Sequence, residues 1–129
     1  MFLTFDTETT GLPKNFKADV SDTDNWPRLV QLAWQLNDET GKLISNNSLI
    51  VKPDGFTIPY NSEKVHGIST EKALKEGDDL QGIIQKFEED LKNSKYVIGH
   101  NINFDLKIIG AEHFRLGYNS NLNDKINLD

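Results

Sequence analysis

The chain opens with Phe2-Leu3-Thr4-Phe5-Asp6-Thr7-Glu8, and the reading of these seven residues decides the fold. Phe2–Phe5 is a short apolar run with the composition of a buried strand. Two carboxylates close it at i and i+2, so on an extended backbone Asp6 and Glu8 leave the same face. Gly11-Leu12-Pro13 ends the extended run. Two like charges closing a central apolar strand are costly unless a cation compensates them. The triplet alone carries little weight, because 12 Asp and 8 Glu in 129 residues give about 0.7 Asp-x-Glu triplets by chance. On position alone, a solvated strand end with harmless acids is an equally good reading.

Outward from that strand the chain alternates elements. Residues 12–28 form a polar stretch with two prolines, long for a loop in a compact domain and of the length that is usually functional or mobile. A strand is expected from Leu29 to Asn37, with Val30, Leu32, Trp34 and Leu36 on one face and Gln31, Ala33 and Gln35 on the other. The turn Asp38-Glu39-Thr40-Gly41 returns the chain antiparallel over Lys42 to Lys52. From Ile58 to Gly77 we expect loops and short helical turns, with a helix capped by Ser69 or Thr70, running through Leu74 and stopped by Gly77. After Asp78-Asp79, Leu80, Ile83, Ile84, Phe87 and Leu91 make one apolar helical face. Tyr96-Val97-Ile98-Gly99 reads as a short buried strand. A helix then starts at Asn101 or Asn103, turns Phe104, Ile108, Ile109 and Ala111 inward and ends near Gly117. The asparagine-rich tail from Asn119 leads into the start of a fifth strand after Lys125. A hairpin followed by alternating helix and strand predicts one α/β domain whose sheet mixes antiparallel and parallel pairs.

Composition narrows the chemistry. There is no cysteine, which excludes a disulfide scaffold, a thiolate metal site and a thiol nucleophile. No run approaches a membrane span, and an acid follows the first apolar residues with no basic segment before them, so neither a membrane nor a secretory signal is expected and the cytoplasm is the default. The net charge of −6 excludes a general nucleic-acid coat, and only two of the 14 cations are arginine. A polyanionic ligand would need positive charge from something other than the protein.

The second informative segment is Gly99-His100-Asn101-Ile102-Asn103-Phe104-Asp105. If the strand before it lies parallel beside the first strand, both end at the same sheet edge, where functional groups of α/β sheets collect. Asp105 would then approach Asp6 and Glu8, and its place in the first helical turn suits a negative charge. Taken singly, Asp105 reads as a helix-start acid and Asn101 as a plain N-cap.

Together, Phe-Asp-Thr-Glu-Thr-Thr-Gly over 5–11 and His-Asn-x-x-Phe-Asp over 100–105 resemble the first two motifs of the DEDD 3′–5′ exonucleases, with a particular likeness to the epsilon-type proofreading exonuclease of bacterial DNA polymerase III. Val65-His66-Gly67-Ile68-Ser69 resembles that family's nucleotide-pocket loop, so the likeness spans essentially the whole chain in the right order. The resemblance implies a ribonuclease H-like mixed sheet and two divalent ions, Mg²⁺ or Mn²⁺, at a phosphodiester. By that likeness Asp6 bridges both ions, Glu8 holds the one on the nucleophile side and Asp105 the other. Thr9, Thr10 and Gly11 match positions that meet the terminal sugar, and His66 matches a contact to the terminal nucleotide. Asn101 and Phe104 match residues that orient the strand and stack on its base. Left to the residues alone, Phe104 also reads as helix core and His66 as a loop histidine with satisfied hydrogen bonds. The implied partners are a single-stranded 3′ end of DNA and a DNA polymerase or a larger replication or repair polypeptide.

The family's third motif, His-x-x-x-x-Asp or Tyr-x-x-x-Asp, supplies a base and a fourth carboxylate, and no such segment follows Asp105. The expectation is therefore a piece of a longer exonuclease domain, with three of four carboxylates and little activity alone. Two other readings compete with DNA proofreading: an RNA-trimming exonuclease of the oligoribonuclease or ribonuclease T kind, and a non-catalytic nucleic-acid or protein-binding module.

Overall fold

The computed structural model describes residues 1–118, 120 and 122–129; Asn119 and Asn121, in the asparagine-rich tail, lie outside the described residues. Its elements in chain order are β1 (Phe2–Thr9), β2 (Leu29–Asn37), β3 (Leu43–Ile50), α1 (Tyr60–His66), α2 (Thr70–Glu76), α3 (Leu80–Lys92), β4 (Tyr96–Ile98), α4 (Ile102–Leu116), a 3₁₀ turn at Leu122–Asp124, and β5 (Ile126–Leu128). The sheet order is β3-β2-β1-β4-β5, with β1 antiparallel to β2, β2 antiparallel to β3, and β1, β4 and β5 mutually parallel where they pair. This is the mixed sheet that the hairpin-then-alternation pattern predicts.

β1 is longer than its apolar run. It continues past Phe5 to Thr9 because each residue keeps a partner on β2, from Phe2 opposite Asn37 to Thr9 opposite Leu29. Asp6 and Glu8 therefore stand within a paired strand rather than beyond its end. The register shifts between Glu8 and Thr9, which leaves Val30 as the extra residue on β2. The bulge separates two cores. Leu29, Leu32, Trp34 and Leu36 join Leu3, Phe5 and Val97 against α3 and α4, whereas Val30 joins Ile58, Ile68 and Ala73 in a smaller cluster.

α3 buries Ile83, Ile84, Phe87, Glu88 and Leu91 and is capped by the Asp79 side chain on the Gly82 N–H. Phe87 meets Phe5 with ring centroids at 5.5 Å and Trp34 edge-on at 5.4 Å, and the Trp34 indole donates to Asp90 at 2.9 Å. Burying the indole ring therefore leaves no orphaned donor. The stretch expected as loops and short turns holds α1, whose only buried residue is Ser62, and α2, capped by Ser69 on the Lys72 N–H.

Two features fix how the loops sit. Gly77 ends α2 against the backbone after β3, where an added Cβ would lie 2.3 Å from the Ala73 carbonyl oxygen and 2.6 Å from the Lys52 nitrogen. Backbone cannot step aside as a flexible side chain can, so Gly77→Ala is expected to destabilise the fold by about 2 kcal/mol, read from urea unfolding. The second is Glu112, fully buried on α4. It accepts from the Leu29 N–H at 2.8 Å, from Arg28 Nε at 3.2 Å and from Arg115 at 3.0 Å. Arg115 in turn donates at 2.7 Å to the carbonyls of Thr23 and Trp26, which ties the 12–28 loop to α4.

Candidate active site

Strand alternation divides the acidic segment of β1 between two environments. Thr7 is buried toward the helices, Asp6 is exposed and Glu8 half-buried. α4 then places Asp105, in its first turn, on the helix side of β1, where the Asp105 carboxylate accepts a hydrogen bond from the Thr7 hydroxyl. Asp105 is 4% exposed, so it is not the solvated helix-start acid that its position alone allows. Burial pushes its pKa up to about 6; the Asp6 and Glu8 charges push the same way, and the Thr7 hydrogen bonds oppose them. Burial also raises Glu8, with Asp6 adding to the effect and His66 opposing it. The three carboxylates thus sit within electrostatic reach of one another at one edge of the sheet.

They do not form a closed cage. Among the described residues, no three His, Asp or Glu side chains converge closely enough to hold one metal ion. The reason is local. The Asp105 carboxyl is taken by Thr7, whose side chain leaves the opposite face of β1 from Asp6 and Glu8.

Beside this edge lies a pocket of about 410 Å³ whose lining includes Glu8, Thr9, Gly11, His66 and Phe104. Thr9 Oγ1 donates to the Gly11 carbonyl at 2.8 Å and fixes the turn after β1. Thr10 stands behind the pocket: its hydroxyl accepts from the Arg28 N–H at 2.9 Å and its carbonyl from Ser62 Oγ at 2.6 Å. His66, expected in a loop, is the last residue of α1, next to the left-handed Gly67. Its Nδ1 accepts from the Ile68 N–H at 3.1 Å, so the ring proton is on Nε2, which donates to the Thr9 carbonyl at 3.2 Å. The expected satisfied histidine and the expected pocket residue are therefore the same ring. Phe104 likewise packs partly against the core while lining the pocket.

Asn101 stands apart. It is exposed, adopts a left-handed backbone with φ 54° and ψ 48°, and its side chain caps nothing, against the plain N-cap reading. Asp129, at the end of β5, supplies the acceptor instead, with Oδ1 at 2.7 Å from the Asn101 N–H and 3.4 Å from that of Ile102. Asp129 and Asp6 both line a broader cleft of about 790 Å³ on the open face of the sheet, together with Gln35, Ser48, Gly99 and His100. Sequence reading assigns no role to Thr7, Leu12, Asn61 or Ser62, which also line the small pocket, whereas Val65 lies in the expected pocket loop. Alternation along β1 signals Thr7; nothing in the sequence singles out Ser62.

With divalent ions removed by chelator, the shift on Asp105 has a definite sign. Its folded pKa of about 6 exceeds its ordinary value of 3.8, so protonation favours the folded state. That contribution is complete below the ordinary value and is lost as pH rises through about 6. The Asp105 contribution to the thermal midpoint is expected to fall between about pH 4 and about pH 6, and Asp105→Asn to remove that fall.

Comparison with known proteins follows this geometry. Among solved structures, E. coli Exonuclease I bound to a dT13 oligonucleotide matches with a TM-score of 0.77 at 20% identity, covering 99% of this chain and 27% of that one. The zinc-bound form of the E. coli Exonuclease I complex with single-stranded DNA matches with a TM-score of 0.78, at 20% identity and the same 99% and 27% coverage. The chain thus shares the ribonuclease H-like exonuclease fold and spans about a quarter of the length of those proteins. No curated protein sequence matches it. A family model described as Exonuclease (RNase_T) matches residues 3–128. That match runs from the second residue of β1 to the last of β5, and this chain belongs to the exonuclease family it describes.

Proposed function

We propose that residues 1–129 belong to one exonuclease domain of a 3′–5′ exonuclease of the epsilon type that hydrolyses the terminal phosphodiester of single-stranded DNA with two divalent ions, in proofreading or repair. The observation that carries this reading is the gathering of Asp6, Glu8 and Asp105 at one sheet edge beside a pocket floored by Phe104. Support also comes from the fold neighbour, whose structures hold DNA oligonucleotides and, in one case, zinc.

The donor chemistry fits hard cations. Carboxylate oxygens are what Mg²⁺ and Mn²⁺ take, and the burial and mutual repulsion that raise Glu8 and Asp105 would be offset by positive charge from outside an acidic protein. Asp6 and Glu8 would hold the ions from β1, and Asp105 would join them by turning its carboxyl away from Thr7. Ions bound there supply a more acidic attacking water and stabilise charge on the attacking and leaving oxygens. The chain's own residues position the substrate. The Thr9–Gly11 turn shapes the sugar pocket, His66 holds that turn through the Thr9 carbonyl, and Phe104 offers a stacking face that tolerates any base. The proposed setting is the cytoplasm, beside a polymerase; among the described residues no helix is long and apolar enough to cross a membrane.

The test uses the full-length encoded protein with Mn²⁺ and matched 5′-labelled DNA and RNA single strands. Stepwise shortening of the DNA is the expected result. Shortening of RNA alone would move the assignment to RNA trimming, and binding without shortening would make this a binding module.

A further inference from the structure

Of the 12–28 loop only Leu12 lines the small pocket. Despite its length the loop is internally braced. Asn15 and Asn25 exchange backbone and side-chain hydrogen bonds at 2.8 and 2.9 Å, and the buried Trp26 indole donates to the Asp19 carbonyl at 2.8 Å. Arg115 holds the far limb through the carbonyls of Thr23 and Trp26. On this frame the tip Lys14-Asn15-Phe16-Lys17 is exposed at every residue, and Phe16 keeps 56% of its surface in water. A braced loop that presents a large apolar ring to solvent has given up the stabilisation that burying it would bring.

The position of that ring is specific. Phe16 lies 6.3 Å, centroid to centroid, from Phe104, inclined at 46°. Phe104 lines the small pocket, as does Leu12, which is 76% exposed. An apolar track therefore leads from the pocket to the loop tip. Two lysines flank its outer end in a chain of net charge −6 whose only two arginines are both engaged by Glu112.

We propose that Lys14–Lys17 is a contact for single-stranded nucleic acid, in which Phe16 stacks on a base upstream of the nucleotide held in the pocket and Lys14 and Lys17 meet the adjacent phosphates. The inference rests on the exonuclease reading of the pocket and extends it along the strand. An aromatic platform combined with cationic side chains is how proteins hold single strands without reading sequence.

The experiment compares two ligands, octathymidylate by fluorescence anisotropy and thymidine 5′-monophosphate by competition, with Ca²⁺ present to support binding. Phe16→Ala is expected to weaken octathymidylate binding about tenfold, the loss of one stacked base, and to leave the mononucleotide unchanged. Phe16→Trp should bind the longer ligand at least as well as wild type. Phe16→Leu, which stays apolar but has no π face, should behave like the alanine variant and guards against a folding artefact. Lys14→Gln and Lys17→Gln should each flatten the dependence of log affinity on log salt by about 0.7. Wild-type octathymidylate affinity in both Phe16→Ala and Phe16→Leu would overturn the inference while leaving the pocket reading intact. Equal weakening of both ligands would also overturn it, by making Phe16 a wall of the pocket. Failure of the unmutated protein to bind either ligand would remove the pocket reading and this inference together.

Discussion

Asp6→Ala in the full-length protein is expected to leave less than about one-hundredth of the DNA hydrolysis and to abolish Mn²⁺ binding at the sheet edge. The lower bound comes from metal sites in general, where removing a partner that only supports a ligand already costs about 10–100-fold. Asp6 is proposed as a ligand itself, and one shared between two ions. The fold should survive. Asp6 is exposed, and its charge pushes the carboxyls of Glu8 and Asp105 toward protonation. Removing it relieves that repulsion, so the thermal midpoint in chelator should stay level or rise slightly. An activity assay and a melting curve on the same preparation therefore separate a chemical defect from a structural one. Near-normal hydrolysis by Asp6→Ala would show that the ions sit elsewhere.

Glu112→Leu is expected to produce the largest loss of stability, about 3–5 kcal/mol, seen as a fall in thermal midpoint of about 10 °C or more. Three groups lose an acceptor at once: the buried Leu29 N–H, the Arg28 guanidinium, and Arg115, which keeps only the Thr23 and Trp26 carbonyls. The arginines are only partly buried and can turn to water; Leu29 is fully buried and its N–H cannot. Glu112→Gln keeps an acceptor for that N–H and should fall between wild type and Glu112→Leu. Limited proteolysis adds a spatial readout. Because Arg115 braces Thr23 and Trp26, the leucine variant should be cut within residues 12–28 under conditions that leave the wild type whole.

The contrast between these two residues marks what can be read from a sequence of this kind. Asp6 is legible because it closes an apolar run in a motif, and its pairing with Asp105 follows once two parallel strands share an edge. Glu112 is not legible. It lies 83 positions from Leu29 in the chain, and no local pattern distinguishes it from a solvated helix acid. The extent of β1 is legible from the Gly11-Leu12-Pro13 turn that ends it. Residues 6–9 lack an apolar run, and their partners on β2 are what the local sequence leaves open. α1 is legible only as one of the short helical turns expected there, because it buries little beyond Ser62 and has no apolar face to repeat. The β2 alternation is read correctly as a pattern, yet the bulge sends Val30 to a different core from Leu32, and bulges follow from pairing rather than composition. At the site, a motif assigns residue types to positions but not the rotamer that turns Asp105 toward Thr7.

The left-handed start of α4 carries a consequence for how the molecule assembles. Asn101 leaves its own helix uncapped, and the first amides of that helix are received by a carboxylate 28 residues further along the chain. The start of the segment bearing Asp105 therefore gains its cap only from β5. A contact between distant parts of the chain, and not a local one, holds this corner. Amide exchange at Asn101 and Ile102 should accordingly track the opening of β5 and not the fraying of the helix they begin.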